Sequence, residues 1–157
     1  MESGAFVNKI VTRTATISAA VVAMGMLPLA GTSFAASCSG TSCDNKGPRA
    51  TACETASVST QRTIDNNSRK AELRWSSGCS AAWVRVTNNS SNSLYNSYGY
   101  IEKYDSAGKL IRSLSIRVPD TTGGSDWSNM LGGASYYYRV CISFVGNEYP
   151  LKCSSKF

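Results

Sequence analysis

The sequence predicts an all-β domain, a small antiparallel sandwich or partly open barrel stapled by about three disulfides, behind a cleaved signal peptide. Three observations predict it. Beyond an N-terminal apolar run, apolar residues recur with a period of two in short segments, and no stretch keeps a helical period. Gly-, Ser- and Asn-rich turns divide those segments. All six cysteines lie after the apolar run, an even number in a chain that reads as exported.

Residues 1–35 read as the signal. Lys9 and Arg13 supply a basic start, Ala15 to Leu29 an apolar run too short for a membrane span, and Ser33-Phe34-Ala35 a small-residue cleavage pattern. The 122 residues of 36–157 then form a single secreted β-domain, expected to be released, extracellular and monomeric. Cys38 follows a weak lipobox-like stretch, but lipidation would leave an odd cysteine. Loss of Glu2, Lys9 and Arg13 with the leader takes the net charge from +6 to +5. The charges are interspersed, so nothing points to nucleic acid or to stable membrane insertion.

Residues 36–56, rich in Ser, Gly, Thr and Cys with a Gly47-Pro48 turn, read as a cysteine-held strap. Val58 to Asp65 is a strand and Asn66-Asn67-Ser68 a turn. Two alternating runs then flank Ser77-Gly78-Cys79-Ser80 and form the central hairpin. If Leu73, Trp75, Val84 and Val86 share the buried face, Trp83 lies outside beside Arg74 and Arg85; a one-residue slip would bury Trp83 instead. After the polar loop Asn88 to Asn96, Tyr98–Tyr104 and Lys109–Val118 pair across Asp105-Ser106-Ala107-Gly108. Pro119 to Asp126 is a loop, Trp127 to Leu131 a short strand and Gly132-Gly133 a turn. The last hairpin runs from Tyr136–Phe144 through Val145-Gly146-Asn147-Glu148 to Tyr149–Ser154. That hairpin sets Cys141 opposite Cys153 and predicts their disulfide. Cys38, Cys43, Cys53 and Cys79 pair either locally, 38 with 43 and 53 with 79, or interleaved.

The chain has no histidine, which excludes Ser-His and Cys-His catalysis and the common zinc hydrolase sites. It has no phosphate-cradling or dinucleotide fingerprint, so no cofactor is expected, and no metal site. Carboxylate chemistry on a glycan survives as an alternative, with Glu72, Glu102, Asp105, Asp120, Asp126 and Glu148 as candidates and Glu72 with Asp126 as the working pair. The leading expectation is a non-enzymatic binding module for a cell-wall polymer, a glycan or an extracellular protein. Its ligand-facing residues would be Trp83, Arg74 and Arg85, with Tyr98 and Tyr137 as further candidates. An exported protease inhibitor or antibacterial factor, presenting the loop Asn88–Asn96, is the other alternative.

The ordered motif Cys38-x-Gly40-x-x-Cys43, Pro48, Cys53 and Glu72-Leu73-Arg74-Trp75-Ser76-x-x-Cys79-x-Ala81-x-Trp83-x-Arg85 resembles the YjfA-like family of unknown function (domain of unknown function 2690) of Bacillus and actinomycetes. The resemblance covers Cys38 to about Val86. It implies an exported bacterial β-domain and supplies no activity. Cys141 and Cys153 lie outside the shared motif.

Overall fold

The structure, a computed structural model, describes residues 35–91, 96–147 and 149–157. The expected signal peptide through Phe34, Tyr95, Glu148 and the central part of the Asn88–Asn96 loop (92–95) lie outside the described residues. The strands are β1 (Val58–Asn66), β2 (Arg69–Ser76), β3 (Ala81–Asn88), β4 (Ser97–Tyr104), β5 (Leu110–Arg117), β6 (Ser125–Trp127), β7 (Leu131–Gly132), β8 (Tyr137–Phe144) and β9 (Lys152–Cys153). One sheet has the order β1-β2-β3-β6, with β7 also on β3, and the other the order β5-β4-β8-β9. Every pairing is antiparallel, and neither sheet closes on itself. The fold is therefore all-β and open, a sandwich rather than a barrel.

The hairpins follow from local chemistry. Asn67 and Ser68 both take positive φ, the geometry a two-residue turn needs to match the strand twist, and the Asp65 carboxylate accepts the Ser68 N–H at 3.1 Å. The β2–β3 register sets Leu73 opposite Val84, Ala71 opposite Val86 and Trp75 opposite Ala82. One face of the first sheet is thus aliphatic. It packs on Ile101, Tyr138, Val140, Ile142 and Phe144 of the second sheet, with Val118 and Leu131 closing the ends. Gly99 is required at this interface, because a Cβ there would lie 2.2 Å from Cγ1 of Val86.

The other face of the first sheet is also covered. The strap, a 3₁₀ turn over Gly40–Cys43 and a chain of turns up to Ser57, lies on Ala81, Trp83 and Met130 and builds a second core with Cys38, Cys43, Cys53 and Cys79. Cys38 is bonded to Cys43, Cys53 to Cys79 and Cys141 to Cys153, so the first four cysteines pair locally. Cys141 and Cys153 are direct register partners, as the sequence predicts. Strap and sandwich are also tied by a buried cation. Lys103, 3% exposed, donates to the Gly132 carbonyl at 2.6 Å and lies 3.5 Å from Asp44, whose other oxygen accepts the Gly132 N–H. A Cβ on Gly132 would fall 1.8 Å from the Gly40 carbonyl oxygen, so this approach of strap to sheet needs glycine.

Two expectations are corrected. The strand expected over Trp127–Leu131 is split into β6 and β7, since Ser128 puts its hydroxyl against the Val84 N–H while Met130 exchanges backbone hydrogen bonds with Asn45 and Lys46 of the strap. Gly132, expected in a turn, is consequently the end of β7. The return strand of the last hairpin is shortened to Lys152–Cys153, downstream of Pro150, which has no N–H to donate.

Candidate functional site

The register that buries Leu73 and Val84 turns Glu72, Arg74, Trp83 and Arg85 to the outer face of the first sheet, where Glu72 pairs with Arg85 and Arg74 with Trp83. Antiparallel partners point the same way, so Trp127, opposite Arg85 on β6, joins them. The strap ends beside this row. Cys53 anchors it to Cys79, and the turn Pro48–Glu54, in which the Glu54 N–H donates to the Pro48 carbonyl, holds Arg49 and Glu54 at the rim. Arg49, Glu54, Arg74, Trp83, Arg85 and Trp127 line a cleft of about 160 Å³.

Trp83 is outside the sandwich core and yet only 4% exposed, because the strap covers it. Its ring is a wall of the cleft rather than a platform. The Arg49 guanidinium sits 3.5 Å from the centroid of the Trp127 ring, stacked on its face. Arg49 is paired with Glu54 at 3.0 Å, and Arg85 with Glu72 at 2.7 Å, a carboxylate that Lys70 approaches to 3.7 Å. Arg74 differs. It donates to the Thr60 hydroxyl and has no ion pair among the described residues. Its pKa is held below the usual arginine value, first by burial and then by the charge of Arg85, against a smaller opposing pull from Glu72. A guanidinium kept short of solvent and beside a second cation favours an incoming anion.

The structure therefore brings Trp83, Arg74 and Arg85 together and leaves Tyr98 and Tyr137 elsewhere. Tyr98 is half-buried on the far face of the other sheet between Arg117 and Ser143, and Tyr137 is exposed opposite Tyr104. The carboxylate pair considered for glycan hydrolysis does not converge. Glu72 lies on the outer face, whereas Asp126 is opposite Val86 and so on the other side of the same sheet, its carboxylate accepting the Trp127 N–H. Asp105 and Asp120 have local work, the first accepting the Lys109 N–H and the second pairing with Arg117. Glu102 is held by Arg139 and Tyr104. Asn88, at the base of the loop considered for inhibition, is buried and bound to Asp120, Gly124 and Ser90.

Sequence reasoning missed Arg49, Glu54 and Trp127. The first two stand in a segment without periodicity, where no pattern assigns a face. Trp127 carried a usable signal, since an aromatic residue in a short strand must face one side, but its partner on β3 is not written in spacing. All four sulfurs of the strap core are within 4.8 Å of one another and are spent in the two disulfides.

No helix among the described residues is long and apolar enough to cross a membrane. Three disulfides in a domain of this size are consistent with a secreted protein. No curated protein and no solved structure matches the chain. One family model does, over residues 41–137, which runs from the strap through the cleft to the first residue of β8 and stops short of Cys141. The strap from Thr41 onward, the central hairpin and Trp127 thus fall inside the matched segment, and the chain belongs to the family described as a protein of unknown function, DUF2690.

Proposed function

We propose that the chain is a secreted bacterial binding module that acts outside the cell or at the envelope, without catalysis, and engages an anionic cell-wall polymer or glycan at the cleft between strap and first sheet. The observation that carries this reading is the convergence of three arginines and two tryptophans on one depression, with Arg74 in no ion pair among the described residues. Hydrolysis is disfavoured because, among the described residues, Glu54 is the one carboxylate lining the cleft, and it and the neighbouring Glu72 are both engaged by arginine. The net positive charge would speed encounter with an anionic polymer and would add little to selectivity.

The test is retention of the oxidised protein on immobilised wall polymers and on neutral glycans, repeated with an Arg74→Gln, Arg85→Gln double variant. Expected is retention on the anionic polymers alone, lost in the variant while its thermal unfolding midpoint stays within a few degrees. Equal retention of the variant, or preference for neutral glycans, would sink the reading.

A further inference from the structure

We infer that the cleft selects a single, singly charged oxyanion, a phosphodiester or a carboxylate carried on a polymer, and discriminates against a dianionic phosphate monoester; the inference rests on the binding reading above. Three features lead to it.

The first is charge. Arg49 is matched by Glu54, and Arg85 by Glu72, at 3.0 and 2.7 Å; Lys70, which shares Glu72 at 3.7 Å, does not line the cleft. Only Arg74 among the arginines of the lining is left without a carboxylate among the described residues. An incoming monoanion completes one pair. A second negative charge would meet Glu54 in the wall and Glu72 directly behind Arg85, and like charges at such range oppose binding.

The second is size. A cleft of about 160 Å³ is smaller than the several hundred Å³ of a typical small-molecule pocket. It has room for an oxyanionic group and about one attached unit of a polymer, so most of a polymeric ligand must lie outside. Such a site suits a polymer that offers the same group repeatedly, because weak single contacts then gain from multiple attachment.

The third is the state of the aromatic rings. A sugar-stacking site needs a free ring face. Trp83 is covered by the strap, and the face of Trp127 holds the Arg49 guanidinium 3.5 Å from its centroid. The rings instead wall the cleft beside Arg74, whose planar guanidinium can present two parallel N–H donors to two oxygens.

Phosphodiester and carboxylate are the same to this site, so the experiment carries one arm for each source. Binding of the oxidised protein to a poly(glycerol phosphate) and to polygalacturonate would be measured at pH 8. Each is competed by methyl-esterified and by monoester glycerol phosphates at matched ionic strength. Expected is binding in one or both arms, reduced at least tenfold by Arg74→Gln, with the diester competing at least tenfold better than the dianionic monoester. In Glu54→Gln, a change at a half-exposed rim residue, the preference should shrink several-fold. Polymer binding with the monoester competing as well as the diester, or binding untouched by Arg74→Gln, overturns this inference and leaves the broader reading standing. No binding in either arm overturns both.

Discussion

The two sheets have outer faces of similar composition and different fates. The outer face of the first carries Glu72, Arg74, Trp83, Arg85 and Trp127, and the strap roofs the part at Trp83. The outer face of the second carries Tyr98, Tyr100, Glu102, Tyr104, Tyr137 and Arg139, and among the described residues no strap crosses it. There the polar groups settle among themselves: Tyr104 donates to Glu102 at 2.5 Å, Arg139 pairs with the same carboxylate, and Ser143 donates to the Tyr100 hydroxyl. On the first sheet the roof prevents that. It buries Trp83 and leaves Arg74 without an ion pair among the described residues. Alternation puts aromatic and charged residues outside on both sheets, and a covering segment is what turns one of them into a cleft.

The sharpest way to break this comparison is to truncate an aromatic residue on each face. Trp83→Ala should cost about 3–5 kcal/mol, as for other large-to-small changes in a packed core, read from the shift of a denaturant midpoint. Tyr137→Ala, at a side chain 48% exposed, should stay within about 0.5 kcal/mol. Similar costs for the two would mean that the strap does not pack on Trp83 and that the faces do not differ.

Removing disulfides comes next in size and separates stability from function. The Cys53–Cys79 bond closes a separation of 26 residues and the Cys141–Cys153 bond one of 12, so chain entropy assigns losses of about 3.5 and about 3 kcal/mol to their double serine variants. The costs are close, but the effects on binding should not be. Cys53→Ser with Cys79→Ser frees the turn that places Arg49 and Glu54 and should abolish polymer retention in protein that is still folded at low temperature. Cys141→Ser with Cys153→Ser touches only the second sheet and should retain it. Binding lost equally in both would detach the cleft from the strap.

The sandwich was legible in the sequence because a period of two needs only one residue assigned before every other takes a side. Leu73, Val84 and Val86 fix the inner face, and Arg74, Trp83 and Arg85 follow to the outer one. What alternation could not give was the environment of Trp83, since an outer face is solvent or interface according to what lies on it. The strap that decides this has no period. Its structure rests on turns with positive φ at Gly40, Asn45, Ala52 and Ser57, on two disulfides and on Asp44 reaching Lys103 and Gly132. The pairing of its cysteines was open for a physical reason. All four sulfurs lie within 4.8 Å of one another, so the choice between local and interleaved bonding is made by how the fold turns each side chain, which spacing along the chain does not encode. The arginines of the central hairpin were found because they share a strand face with Trp83, whereas Arg49 reaches the same cleft through tertiary contact alone.

The smallest effect probes the unroofed face, through a phenol. Burial raises the Tyr104 pKa to about 12, and the hydrogen bond to Glu102 and the negative charge of that carboxylate add to the rise, against Arg139, which lowers it. The folded state therefore keeps a proton that the unfolded chain gives up near pH 10. The contribution to stability is complete below pH 10 and is lost as pH climbs from 10 to about 12. By pH 11 the loss should be about 1 kcal/mol relative to pH 9. Tyr138, raised mainly by burial, contributes in the same direction and would remain in the control. Denaturant midpoints at pH 9 and 11 for the protein and for Tyr104→Phe would isolate the first residue. A smaller drop in the variant places the Tyr104–Glu102–Arg139 network in the folded protein, and an identical drop would mean that this face is solvated and that its hydrogen bonds do not hold in solution.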